Sequence, residues 1–211
     1  MMDRRHFLQG VAGFTALGVA GCSALPEGAD PSLATSAYAP TSNEKYRIRR
    51  ANLDIIPREF HRRVVRYNTS EARGTIVVDT ANRHLYLVED NDVAIRYGIG
   101  VGREGFEWNG RANIRRKAKW PTWTPPAEMV AREPRLRKFA GGMAGGANNP
   151  LGARALYLYE GNRDTLYRLH GTNEPKSIGK AMSSGCVRLL NHDVADLYER
   201  TKIGAKVVVL V

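Results

Sequence analysis

Two short segments hold the residues of this chain that are best suited to covalent chemistry. His170-Gly171-Thr172-Asn173 is followed, after a short insert, by Ser183-Ser184-Gly185-Cys186-Val187-Arg188. Cys186 is one of only two cysteines in the sequence. A thiol at neutral pH needs a base or a positive neighbour to become a thiolate, and a small glycine-containing turn can present it to a substrate. Both conditions can be met within this one stretch. The segments therefore read as a cysteine nucleophile, Cys186, with His170 as proton acceptor and donor; a buried, inert thiol is the alternative for any free cysteine.

His192 lies close enough to Cys186 to be a rival base. Asn191 is a good N-cap for a helix from His192 to about Arg200, a placement that turns His192 to solvent. His84 alternates with strand residues and His61 lies in a basic arm, so both read as structural or exposed. No histidine and carboxylate have metal-ligand spacing, so neither a metal nor any other cofactor is expected.

The elements that must carry these residues are mostly strands. Thr75–Asp79, His84–Glu89 and Val93–Ile99 are three β-rich runs separated by Ala81-Asn82 and Asp90-Asn91-Asp92, good hairpin turns, so an antiparallel meander is expected. Residues 155–159 and 166–170 read as two further strands turning at Gly161-Asn162, and Lys206–Val211 as a closing strand. Between them, residues 102–147 read as irregular and rich in Gly, Pro and Trp, with a short helix over 128–139. Trp108, Trp120 and Trp123 in that segment suit loop packing, or the wall of a groove for an extended peptide.

The chain has 211 residues, room for one domain with appendages, and its 43% hydrophobic content supports an ordinary core. Its 21 Gly and 10 Pro favour turns over long helices. The formal net charge of +11 calls for an anionic partner, or serves solubility. Nucleic acid is disfavoured as that partner: the N-terminus reads as an export signal, and no stacking motif is present.

That N-terminus places Arg4-Arg5-His6-Phe7-Leu8-Gln9 before a mildly apolar run, Val11 to Ala20, too short to span a bilayer. The arginine pair resembles a twin-arginine signal, with Gln9 where Lys is usual. Val19-Ala20-Gly21-Cys22 resembles a lipobox, which makes Cys22 a candidate lipidation site and not a disulfide partner for Cys186. The expected organisation is a signal segment with lipobox at 1–22 and a flexible tether at 23–43. A basic arm at 44–73 and a catalytic domain at 74–211 follow. The arm's arginines suit anionic wall polymer or lipid head groups, and equally a solvated face.

The catalytic segments, with the Asn149-Pro150-Leu151-Gly152 stretch and the opening meander, resemble the L,D-transpeptidase catalytic domain, also called the YkuD domain, over roughly residues 74–211. Its marks are a His-Gly pair ending a strand, a loop, and Ser-x-Gly-Cys-(Ile/Val)-Arg. Ser184 stands where many members carry a second histidine. The resemblance implies a mostly β fold, sandwich- or barrel-like, with one or two short helices and the long Gly/Pro/Trp-rich loop. It also implies an exported enzyme of the periplasm or cell envelope that acts on peptidoglycan stem peptides. Cys186 would attack the carbonyl of the third stem residue, expel the terminal D-Ala and pass the acyl group to an amine. His170 would need a pKa near the working pH. Gly185 and Cys186, with Ser184, would supply the oxyanion hole. Gly171 and Asn173 would line the loop. Ser183 would bond within the turn or orient His170, and Arg188 would bind a substrate carboxylate or hold the cysteine loop. The alternatives are the same site with water as acceptor, a carboxypeptidase or amidase, or a non-catalytic wall-binding lipoprotein.

Overall fold

The computed structural model describes residues 37–102, 109–183 and 186–210. The candidate residues Cys22, Ser184 and Gly185, and Trp108, lie outside them.

Apolar residues alternating with polar ones build a sheet. The meander forms as its turns dictate: β2 (Ile76–Asp79), β3 (His84–Val88) and β4 (Val93–Gly98) pair antiparallel in succession. At the β3–β4 turn Asn91 and Asp92 adopt φ of 61° and 54°, the left-handed geometry that suits the twist of a tight hairpin. β1 (Arg63–Arg66) joins the outer edge of β4. A second antiparallel group consists of β6 (Gly110–Lys119), β7 (Arg154–Glu160) and β8 (Arg163–His170). The C-terminal β11 (Lys206–Leu210) unites the groups, parallel to β2 on one side and antiparallel to β6 on the other. β10 (Val187–Arg188) adds to the far edge, parallel to β8. The nine strands run in the order β1-β4-β3-β2-β11-β6-β7-β8-β10, while β5 (Val101–Gly102) and β9 (Ala181–Ser183) form a separate pair. The fold is mostly β with few helices, as expected, but the large sheet is open and not barrel-like: β1 and β10 are its two edges.

β6 corrects the expectation that residues 102–147 are irregular. Six of its ten residues are Arg, Lys or Asn, which hides the pattern, yet Ala112 and Ile114 are buried while Arg111, Asn113 and Arg115 face out. Past a register shift, Arg116 lies over the Tyr157 ring and Lys117 over Tyr198, so aliphatic stems cover apolar surface. The Lys117 ammonium donates to the carbonyls of Tyr198 and Thr201 at the end of α2 (Asn191–Arg200), satisfying groups that a helix C-terminus leaves unpaired. The shorter helix α1 (Ala127–Arg132) and a 3-10 turn (Pro134–Phe139) occupy the expected helical segment.

One core runs through the sheet and α2. Ile76, Leu85, Tyr97, Ile114, Leu156, Leu169, Val187, Val194, Leu197 and Val207 share a single buried cluster. A second cluster joins the N-terminal arm to the residues around the catalytic segments: Tyr38, Ile56 and Phe60 pack with Ile178 and Leu190. Phe60 lies so close to Gly98 and Gly179 that a Cβ at either would collide with it. Buried polar contacts fasten the arm further. Tyr38 Oη donates to Asp193 Oδ2 at 3.2 Å and accepts from the Arg62 N–H at 2.9 Å. The Glu44 carboxylate pairs with the buried Arg154 guanidinium and accepts from Trp120 Nε1 at 2.9 Å. Trp120 is thus packed against Ile48 and Ala153 in a third cluster.

Candidate active site

β8 and β10 position the two candidate side chains, His170 and Cys186. Their parallel register sets Val187 beside Leu169 and Arg188 beside His170. One residue earlier, Cys186 comes level with Arg168. Leu169 and Val187 are fully buried in the main core. Side chains alternate along strands, so Arg168, His170, Cys186 and Arg188 share the opposite face as two adjacent pairs. With about 6.6 Å between alternate residues and about 4.8 Å between strands, the Cα atoms of Cys186 and His170 lie on a diagonal of about 8 Å.

The loop that brings them together is fixed by close backbone approach. Gly152 (φ 61°) and Gly171 pack backbone to backbone against the Asn191 side chain, and a Cβ on either would strike its Oδ1. Asn191 Oδ1 accepts from the Ala153 N–H at 2.9 Å and its Nδ2 donates to the Thr172 carbonyl at 2.9 Å. Asn191 therefore ties α2 to the loop, and the helix starts at Asn191 with no side-chain cap from Leu190. Asn149, fully buried, donates to the Pro121, Met143 and Ala144 carbonyls and accepts from the Leu151 N–H. This one amide anchors the Trp/Pro/Gly segment to the turn that enters β7. Asn173 Nδ2 reaches the Asn148 carbonyl at 3.0 Å, and Thr172 Oγ1 accepts from the Glu174 N–H.

His170 is 4% exposed, and its Nδ1 sits 2.6 Å from the Gly171 carbonyl. A carbonyl only accepts, so Nδ1 carries the proton and Nε2 keeps its lone pair, the tautomer a general base requires. Burial, reinforced by the positive charges of Arg188 and Arg168, holds the imidazole pKa down to about 4, against the partly opposing bond to Gly171. At a neutral working pH that falls below the matched value expected of a general base. Burial also pushes the Cys186 thiol up, while the Arg168 backbone N–H and the Arg168 and Arg188 charges pull the other way. Cys186 is half-buried, with Sγ 4.0 Å from the Leu166 carbonyl. Burial thus favours the neutral form of both the thiol and the imidazole.

Arg188 is held in place by its backbone and its side chain. Its N–H and C=O exchange 2.9 Å bonds with Gly100, and its Nη1 pairs with Glu174 Oε2 at 3.1 Å, linking the cysteine strand to the loop after His170. Ser183 ends β9, with its backbone beside Gly102. His192 overturns its expectation: it is 6% exposed, bonds the Ala39 carbonyl through Nε2 at 2.9 Å, and meets the Tyr38 ring edge-on. His84 and His61 are likewise engaged, with the Glu59 and Ile56 carbonyls. Sequence reasoning missed Arg168; the signal was its alternation with His170 on one strand face. Among the described residues no group of His, Cys, Asp and Glu is placed to hold a metal ion.

The family model of the L,D-transpeptidase catalytic domain matches residues 73–209. "Probable L,D-transpeptidase YbiS" of Escherichia coli K12 is 36% identical over 140 residues, covering 63% of this chain and 43% of that protein. "Probable L,D-transpeptidase ErfK/SrfK" of the same organism is 34% identical over 145 residues, covering 65% and 44%. The chain thus spans less than half the length of these curated relatives. A Brucella melitensis structure described as a probable carnitine operon oxidoreductase is 48% identical, with a TM-score of 0.52, covering 75% of this chain and 99% of that one. The motif residues, the open β architecture and the extent of the family match lead to one statement: this chain belongs to the L,D-transpeptidase catalytic domain (YkuD) family.

Proposed function

We propose that the protein is an exported L,D-transpeptidase that remodels peptidoglycan stem peptides through an acyl-enzyme on Cys186. The observation that carries this reading is the pairing of β8 with β10. It sets the only described cysteine diagonal to a histidine whose Nδ1 proton is already committed to Gly171. As substrate binds, Cys186 Sγ attacks the carbonyl of the third stem residue while its proton passes to His170 Nε2. The C–N bond to the terminal D-Ala then breaks, and the protonated imidazole gives that proton to the leaving amine. The thioester is resolved by an amine acceptor, which yields a proton to the neutral imidazole as sulfur departs. Backbone donors at residues 185 and 186 would hold the oxyanion, each worth roughly 3 kcal/mol. Arg188 and the net charge of +11 suit the carboxylates of stem peptides.

The arginine pair at the N-terminus supports export, and the Val19-Ala20-Gly21-Cys22 pattern supports a lipid anchor on Cys22; the mass of the mature N-terminus tests both. Incubation with tetrapeptide muropeptides and mass analysis of the products tests the activity. Stem dimers or exchanged terminal residues are expected. Loss of D-Ala alone would make water the acceptor, and turnover surviving Cys186→Ala would remove the nucleophile. His170→Ala should abolish turnover, while His192→Ala should leave the chemical step in whatever fraction stays folded.

A further inference from the structure

β8 does not run straight into the site. Between Tyr159↔Asp164 and Tyr157↔Arg168, two residues of advance on β7 oppose four on β8, so Thr165, Leu166 and Tyr167 bulge outward. Leu166 adopts φ 64°, a conformation that costs a side-chain-bearing residue about 1 kcal/mol or more and persists only where its surroundings impose it.

Here the surroundings do impose it. Asp164 Oδ1 accepts from the Leu166 N–H at 2.9 Å and from Arg168 Nη1 at 2.7 Å, and its Oδ2 accepts from Arg168 Nη2 at 3.0 Å. Arg168 Nη1 also donates to the Tyr167 carbonyl at 2.9 Å, which closes the bulge on itself. Thr165 Oγ1 donates to the Leu158 carbonyl and accepts from the Tyr167 N–H. The guanidinium then lies 4.5 Å over the Tyr157 ring, where lysine could not reproduce either the fork or the stacking. The bulge ends level with Cys186. Its Leu166 carbonyl lies 4.0 Å from Sγ, and its Arg168 backbone N–H bonds the sulfur.

We propose that this bulge is a cradle for the nucleophile, with Asp164 and Arg168 as positioning residues that fix two backbone groups, the Leu166 carbonyl and the Arg168 N–H, beside the Cys186 sulfur. The Leu166 carbonyl faces the thiol and the Arg168 N–H holds the thiolate. Neither side chain touches substrate; both act through the backbone that they lock. The proposal deepens the acyl-transfer reading but needs only the thiol, so its test uses no peptidoglycan.

The test is the pH dependence of Cys186 alkylation by iodoacetamide in the whole chain, followed by intact mass, with melting temperature measured alongside. Asp164→Asn and Arg168→Lys should each slow alkylation at pH 7 about tenfold, equivalent to one unit in the midpoint. Asp164→Asn separates positioning from charge. Removing a carboxylate near the thiolate should speed alkylation if the field alone matters, and slow it if the cradle matters. Arg163→Gln, which removes an exposed pair with Glu160 at the hairpin tip, should leave the profile unchanged. A parental profile in both variants overturns the proposal whatever happens to the melting temperature, and so does faster alkylation in Asp164→Asn. If Arg168→Lys fails to fold, the isosteric Asp164→Asn decides.

Discussion

Lowering the pH from 7 to 4.5 titrates His170 in the unfolded chain while leaving most of it neutral in the fold. Burial, with Arg188 and Arg168, holds the folded pKa near 4, against 6.5 for a free imidazole. A group depressed in this way lets the unfolded state take up more protons between the two values, so stability falls as the pH drops through that window. His170 is almost completely buried, so its shift needs no discount for solvent screening. Integrating between the two pKa values gives a loss of roughly 2 kcal/mol between pH 7 and 4.5 from this group alone. Other groups titrate there too, so the comparison is with His170→Gln, which removes only this contribution. Urea unfolding of both proteins at pH 7 and at pH 4.5 should show the parent losing about 2 kcal/mol more than the variant. The 1H–13C signal of the His170 ring should titrate near pH 4 and show a neutral Nδ1–H tautomer above it. Acylation of Cys186 should likewise keep its rate between pH 7 and 5. A ring midpoint between pH 6 and 7, or equal acid sensitivity in parent and variant, would refute the buried neutral imidazole and the proton path built on it.

Three other outcomes follow from the packing. Phe60→Ala should destabilise the fold by about 3–5 kcal/mol, since it empties the cluster shared by the arm, Ile178 and Leu190; thermal melting checks it. Glu44→Gln leaves the Arg154 guanidinium buried without its carboxylate and should cost about 3 kcal/mol in urea unfolding. Asn149→Ala should cost about 2–3 kcal/mol and expose the 121–147 segment to limited proteolysis, because its amide donates to three carbonyls there.

The arm has a consequence for how the domain is produced. The family match begins at residue 73, yet Tyr38, Ile56 and Phe60 share a core with Ile178 and Leu190, which lie on either side of the Cys186 segment. Trimming the chain to the matched residues would uncover that cluster together with His192 and Asp193, which the arm covers through Ala39 and Tyr38.

The sequence by itself determined what local chemistry decides. The β2–β4 meander was legible because Asn91 and Asp92 favour the left-handed turn and the apolar residues alternate on either side. The His170-Gly171 and Cys186-Val187-Arg188 segments stood out because few residue types could support nucleophilic chemistry. The tertiary structure decided what depends on partners distant in sequence. β6 is a strand because β7 and β11 flank it, although its charged composition argues for a loop. His192 is buried because the arm, more than a hundred residues away in sequence, lays Ala39 and Tyr38 over it. Asn191 caps nothing because the Ala153 N–H and the Thr172 carbonyl claim its amide. The pKa values of His170 and Cys186 follow from burial and from two arginines that only the β8–β10 register sets beside them. Residue type sets which protons can move; desolvation and charge placement, properties of the packed chain, set when they do.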